Sequence, residues 1–99
     1  MYINGPFGSF RGADAIKAHL QAQIDVVRWE SIDVNSLVAD AGTVMMERVD
    51  NVSRGGHTFS LEVMAAFEVD ADGRLSYWRD SFDLKSITDQ IEAEGWRFP

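Results

Sequence analysis

Residues 57–82, HTFSLEVMAAFEVDADGRLSYWRDSF, alternate apolar and polar side chains, pause at a glycine-containing turn and then alternate again. Successive side chains of an extended chain point to opposite faces. Phe59, Leu61, Val63, Ala65 and Phe67 therefore share one face, and Ser60, Glu62, Met64 and Glu68 the other. Asp70-Ala71-Asp72-Gly73 separates the two runs, and Gly73 suits the positive φ that such a loop needs. The sequence thus predicts a strand over His57–Val69 and an antiparallel partner from Leu75 to about Phe82.

The same reading extends outward. Thr43 to Val52 alternates and is followed by the turn Ser53-Arg54-Gly55-Gly56. Val26 to Asp40 is rich in β-branched residues and reads as one strand with a break near Asn35-Ser36, joined to the next by the tight turn Ala41-Gly42. Ala13 to Ile24 carries Ile16, Leu20 and Ile24 at a spacing of four, with Asp14 where the helix dipole favours an acid, so a helix is predicted there. A short strand at residues 1–4 and a Gly/Pro/Ser-rich loop from Gly5 to Gly12 precede it. A last helix starts near Asp83 or Leu84, buries Leu84, Ile87 and Ile91, and is capped by Gly95. The sum is an α+β domain: a curved, mainly antiparallel sheet with flanking helices. A strand that begins at residue 2 leaves no N-terminal element over the open face of that sheet.

Composition narrows the function. A chain of 99 residues supports one core, hence a single domain over residues 1–99. With 9 basic and 16 acidic residues the net charge is −7, which disfavours a nucleic-acid backbone or an anionic membrane as partner. The absence of cysteine excludes disulfides, thiolate metal sites and a thiol nucleophile. No apolar run approaches the ~18 residues of a membrane span and no signal peptide opens the chain, so a cytoplasmic setting is expected.

Several polar residues fall on faces that should be apolar. On the segment Leu75–Phe82, Asp80 shares a face with Ser76, Trp78 and Phe82. Two large aromatics that favour burial flank a carboxylate, and an unpaired buried carboxylate costs several kcal/mol. Asp80 is therefore paired, hydrogen-bonded or placed at a pocket. On Thr43–Val52 one face holds Val44, Met46, Arg48, Asp50 and Val52, and the other holds Thr43, Met45, Glu47, Val49 and Asn51. Both faces carry apolar residues, so this strand by itself leaves open whether Arg48 and Asp50 face the core or solvent. Two readings follow for Asp80: a structural ion pair with Arg48, or a cavity holding Asp50 and Asp80 with the arginine between them. Tyr2 and Asn4, two apart, form a further pair on one face.

Other candidates carry less. His19 lies in the first helix and His57 opens a strand. Neither has a partner at metal-ligand spacing, so surface or capping roles are expected and no metal site is predicted. Ser53-Arg54-Gly55-Gly56 matches no phosphate-binding fingerprint, and there is no Gly-x-Ser-x-Gly elbow. Trp29 and Trp96 read as packing residues, and Met45-Met46 as core filling.

Glu47-Arg48-Val49-Asp50, followed by Trp78-Arg79-Asp80-Ser81-Phe82-Asp83-Leu84, resembles the limonene epoxide hydrolase family. That family shares the cone-shaped fold of nuclear transport factor 2, ketosteroid isomerase and the SnoaL-like proteins. Tyr2-Ile3-Asn4-Gly5-Pro6 is similar to the family's Tyr-x-Asn segment, which precedes a comparable loop and helix. Carried over residue by residue, the resemblance implies a catalytic set of Tyr2, Asn4, Arg48, Asp50 and Asp80. In it Asp80 is the base for a water held by Tyr2 and Asn4, Asp50 is the acid for the oxirane oxygen, and Arg48 bridges both carboxylates. It also implies no cofactor, a homodimer, and further helices ahead of the tyrosine-bearing strand. Met1 directly precedes Tyr2 here, so a domain shortened at its N-terminus is expected, and Ser81 stands where the resemblance leads to a tyrosine. Met46, Leu61, Val63, Phe67, Trp78 and Phe82 are the expected walls for a small hydrophobic substrate. The outer face with Met45, Val49, Met64 and Ala66 is apolar enough to need the dimer partner as cover. The alternatives are another pocket chemistry on the same fold, isomerisation or polyketide cyclisation, and a non-catalytic ligand-binding or dimerisation module.

Overall fold

The computed structural model describes residues 1–93. Its elements run β1 (Tyr2–Asn4), a 3-10 turn (Gly5–Phe7), β2 (Ser9–Phe10), α1 (Ala13–Ile24), β3 (Arg28–Asp40), β4 (Thr43–Arg54), β5 (His57–Val69), β6 (Leu75–Ser81) and α2 (Leu84–Ala93). The six strands form one sheet in the order β2-β1-β6-β5-β4-β3. Neighbours pair antiparallel except β1 and β6, which run parallel with Tyr2 opposite Trp78 and Asn4 opposite Asp80. The α+β class and the mainly antiparallel sheet are those expected from the alternation. No described helix is long and apolar enough to cross a membrane.

Two tight hairpins set the register of the long strands. Ala41 (φ 48°) and Gly42 (φ 83°) close β3 to β4, and Gly55 (φ 57°) and Gly56 (φ 84°) close β4 to β5. Positive φ at both central residues is the type I′ pattern, whose twist matches that of the flanking strands. Because the second turn needs only the two glycines, β4 continues to Arg54 opposite His57, two residues past the expected end at Val52. Ala41 lacks the freedom of Asn or Gly in the left-handed region, whereas a Cβ on Gly42 would lie 3.0 Å from the Val69 carbonyl oxygen. Ala41→Asn should therefore raise the melting temperature, and Gly42→Ala should lower stability by at least about 1 kcal/mol, both checked by thermal unfolding.

The inner face follows the period of two. Phe59, Val63 and Ala65 of β5 are buried, and Val52 and Phe59 form a core with Val27, against which Val26, Leu61 and Leu84 pack. Toward β6 and β1 the same face opens into a cavity. β3 is a single strand; the break expected near Asn35-Ser36 is a β-bulge between Val34 and Ser36. A bulge adds a residue and bends the strand, which helps the sheet to curve.

The packing of α1, Met45 and Trp29 is looser than a core would give. α1 forms as predicted but buries no residue: Ile16 and Leu20 are half-buried and Ile24 is 57% exposed. Met45 is not core filling; it lies on the outer face and is 54% exposed, while Met46 on the opposite face meets the cavity. Trp29 is 37% exposed at the cavity rim. α2 starts at Leu84 as read, whereas the cap at Gly95, the packing of Trp96 and the Ile87 and Ile91 side chains lie outside what the structure describes.

Candidate active site

The register resolves the ambiguity of β4. Arg48 pairs with Val63 and Asp50 with Leu61 on β5, whose inward face is fixed by Phe59, Val63 and Ala65. Asp80 of β6 pairs with Ala65 on the other edge of β5. Arg48 and Asp80 are thus diagonal across one strand, and Ala65 contributes only a methyl group between them. β1 then brings Tyr2 and Asn4 beside Trp78 and Asp80. Residues separated widely in sequence meet because the sheet order places β1, β6, β5 and β4 side by side.

All four polar members are buried: Asn4 4%, Arg48 7%, Asp50 5% and Asp80 4% exposed, with Tyr2 at 2%. The Arg48 guanidinium donates to both carboxylates. Nε reaches Asp50 Oδ1 at 2.8 Å and Nη2 reaches Asp50 Oδ2 at 3.3 Å. Nη1 donates to Asp80 Oδ1 at 3.0 Å and Nη2 to Asp80 Oδ2 at 3.1 Å. Burial alone would lower the arginine pKa, but the hydrogen bonds to Asp80 and Asp50 outweigh it and drive the pKa upward, so the cation is permanent.

Asp80 accepts two further hydrogen bonds, from Tyr2 Oη at 3.0 Å and from Trp78 Nε1 at 2.8 Å. Its oxygens together receive four hydrogen bonds, close to the full capacity of a carboxylate. Burial, and then the charge of Asp80 and the hydrogen bond to it, push the Tyr2 phenol upward and keep it neutral. The Tyr2 ring stacks on the Trp78 indole with centroids 3.9 Å apart, and Trp78 stacks in turn on Phe67 at 5.8 Å. Carboxylate, phenol and indole are consequently held by both hydrogen bonds and ring packing. Gly5, with φ at 41°, is needed where the chain leaves β1: a Cβ there would sit 3.0 Å from the Phe82 ring.

The polar cluster lies in the wall of a cavity of about 460 Å³. Met46, Leu61, Val63, Phe67, Trp78 and Phe82, the walls expected from the sequence, all line it together with Tyr2, Asn4, Arg48, Asp50 and Asp80. Sequence reading missed a second wall, made of Leu20 and Ile24 from α1 and Trp29, Ile32 and Val34 from β3. Ile24, Ile32 and Val34 are all more than half exposed, so this apolar rim is the open side of the cavity. Trp78, expected only as a wall, also donates a hydrogen bond to Asp80. Among the described residues no group of three or more His, Cys, Asp and Glu side chains could hold a metal ion.

His19 is the other residue whose place the sequence did not reveal. Rather than facing solvent, its Nε2 lies 2.7 Å from Asn4 Nδ2. Its signal was its position: His19 follows Ile16 by three and precedes Gln23 by four, on the side of α1 that meets the cavity.

The family described as the limonene-1,2-epoxide hydrolase catalytic domain matches residues 1–93. The chain belongs to the limonene-1,2-epoxide hydrolase family. The chain is similar to epoxide hydrolase EphG of Mycobacterium tuberculosis, 33% identical over 84 residues, which cover 85% of this chain and 55% of that protein. The chain therefore spans little more than half the length of this curated relative. A solved LEH-like epoxide hydrolase of M. tuberculosis superposes with a TM-score of 0.74 at 29% identity, covering 91% of this chain and 66% of the other. A protein of ketosteroid isomerase-like fold from Catenulispora acidiphila gives a TM-score of 0.82 at 14% identity, covering 98% and 77%, which shows a shared fold. The limonene-1,2-epoxide hydrolase family and the cone fold are thus those that the Tyr-x-Asn, Arg-x-Asp and Trp-Arg-Asp segments suggested.

Proposed function

We propose that this chain adds water to a hydrophobic epoxide, giving a vicinal diol in one acid/base step. One observation carries the reading: two buried carboxylates share one arginine in the wall of an apolar cavity, with Tyr2 and Asn4 beside the one that accepts more hydrogen bonds. A single guanidinium balances one negative charge, and a second buried carboxylate without a counter-charge is costly. The cluster is balanced when it holds one proton. Asp80 accepts four hydrogen bonds and is best kept as the carboxylate, so the proton rests on Asp50, which accepts only from Arg48.

The step then uses both. A water enters by displacing the Tyr2 hydroxyl from Asp80 Oδ2. It donates one hydrogen to Asp80 and one to the Asn4 amide oxygen, and accepts from Tyr2, leaving a lone pair for the oxirane carbon. The water oxygen bonds to carbon as the ring C–O bond breaks; Asp80 takes the water's proton and Asp50 gives its own to the departing oxygen. Return of the proton from Asp80 to Asp50 resets the site. Arg48 holds the geometry of the two carboxylates throughout and transfers nothing.

The assay is diol formation from a panel of cyclic and terpenoid epoxides. Turnover supports the reading. Absence of diol together with turnover of a substrate bearing an acidic C–H beside a carbonyl would place the chain with the isomerases or cyclases of this fold. Absence of both would leave a binding module.

We also propose that the chain forms a homodimer through its outer sheet face, where Val38, Met45 and Met64 are each more than half exposed. A light-scattering mass of one chain would contradict this.

A further inference from the structure

His19 takes no part in the chemistry above, yet it is built into the site. Its ring stacks on Phe10 of β2 with centroids 4.0 Å apart and an interplanar angle of 18°, and lies 6.0 Å from the Tyr2 ring. Its Nε2 is 2.7 Å from Asn4 Nδ2. An amide nitrogen only donates, so the imidazole nitrogen is the acceptor and the ring is neutral with its proton on Nδ1. Asn4 lies on the cavity wall, and its amide has two ends of opposite character. The end fixed by His19 is the donor.

We propose that His19 is a positioning residue that sets the orientation of the Asn4 amide, turning Oδ1 rather than the NH2 group toward the nucleophilic water. This rests on the hydrolase reading. A water that must give its second hydrogen to Asn4 is aligned by an acceptor. An NH2 group in that place would donate to the lone pair needed for attack. Phe10 and Tyr2 hold the imidazole plane, so the acceptor is fixed before substrate arrives.

The arrangement has a pH sense. A protonated His19 has no acceptor; the Asn4 amide must then release it or turn over and present Oδ1 to the ring. Release leaves Oδ1 unfixed, and turning over puts the NH2 group toward the water. Burial lowers the His19 pKa from the ordinary value of 6.5, so the productive neutral form persists to mildly acidic pH and is lost as pH falls through the lowered pKa. The ionisable group facing His19 from β1 is Tyr2, whose phenol stays neutral, with Asp80 beyond its hydroxyl. β2 offers Phe10, and the residues one turn away on α1, Ala15, Ile16, Ala22 and Gln23, carry no charge.

The test compares His19→Phe, which keeps a ring for Phe10 and Tyr2, with His19→Gln, whose side-chain oxygen can accept from Asn4 without titrating. The expected result is a roughly 10- to 100-fold fall in kcat for His19→Phe with KM little changed. His19→Gln should restore most of kcat and lack the wild-type decline attributed to His19 at acid pH. Wild-type kcat in His19→Phe, or a His19→Gln variant as slow as His19→Phe, would overturn the proposal. A second readout does not need turnover: nitrogen-15 NMR of the imidazole should show the Nδ1–H tautomer, with an Nε2 resonance that moves in Asn4→Ala. An Nε2–H tautomer in the wild type would overturn the proposal. If the wild type makes no diol, the hydrolase reading fails while this spectrum still decides the His19–Asn4 contact.

Discussion

Asp80→Asn lowers kcat for diol formation by roughly 100- to 10,000-fold, the range that a positioned general base contributes. The loss should fall toward the upper end because the substitution removes more than the base. With a neutral amide at position 80, Arg48 keeps a single anionic partner, Asp50, at 2.8 Å. The cluster then balances its charge without the extra proton, so Asp50 is held ionised and can no longer act as the acid. Base and acid are lost through one atom exchange. The amide retains the shape of the carboxylate and one acceptor oxygen, while its NH2 group meets an Arg48 N–H in either orientation, so some stability is lost along with activity. The measurement pairs kcat with a urea unfolding curve. A stable Asp80→Asn protein within tenfold of wild-type activity would remove Asp80 from the role of base.

Arg48→Met should be costly in both activity and stability. Arg48 is 7% exposed and supplies a counter-charge to both carboxylates, which are themselves 5% and 4% exposed. Removing one partner of a buried ion pair costs about 3–5 kcal/mol, because the charge left behind has neither water nor a counter-ion. With the proton on Asp50, the Asp80 carboxylate loses its cation and Asp50 loses two hydrogen bonds. For a domain of 99 residues this is a large share of a total stability of about 5–15 kcal/mol. The deficit, read as a shift in the urea midpoint, should shrink as pH is lowered, since protonating the stranded Asp80 carboxylate removes the penalty. A deficit that is the same at neutral and acid pH would mean that Arg48 stabilises by packing alone.

The parts of the fold legible in the sequence are those where local signals agree. β5 and β6 alternate cleanly and are joined by Asp70-Ala71-Asp72-Gly73, where Asp70 Oδ1 accepts from the backbone of Asp72 and Arg74. The inward position of Asp80 follows from its neighbours Trp78 and Phe82 alone. β4 was not decidable in isolation, because Met45 and Val49 compete with Val44 and Met46 for the core. What decides it is non-local: the pairing of Arg48 with Val63 and of Asp50 with Leu61. The position of β1 was less legible still. Three residues carry little periodicity, and their parallel partner on β6 lies more than seventy residues away. The spacing pairs Tyr2 with Asn4 on one face, but only the resemblance of Tyr2-x-Asn4 to a known segment gives the pair a role.

Elsewhere the strongest local pattern misled. The spacing of Ile16, Leu20 and Ile24 predicts α1 correctly but suggests a buried stripe, whereas Ile24 is 57% exposed at the cavity rim. That stripe also hid His19, which shares its inner side. A lone histidine on a helix is ambiguous until the strand beneath it is known. Here that strand carries Asn4.

The most direct test of the one-step mechanism is a single turnover of an accepted epoxide in water enriched in oxygen-18, with enzyme in excess. Attack by water activated at Asp80 predicts that the first diol carries one oxygen-18 atom and that the mass of the protein chain is unchanged. Diol carrying only oxygen-16, with the label appearing in an aspartate of the chain, would show that a carboxylate bonds to carbon and would contradict the assignment of Asp80 as base.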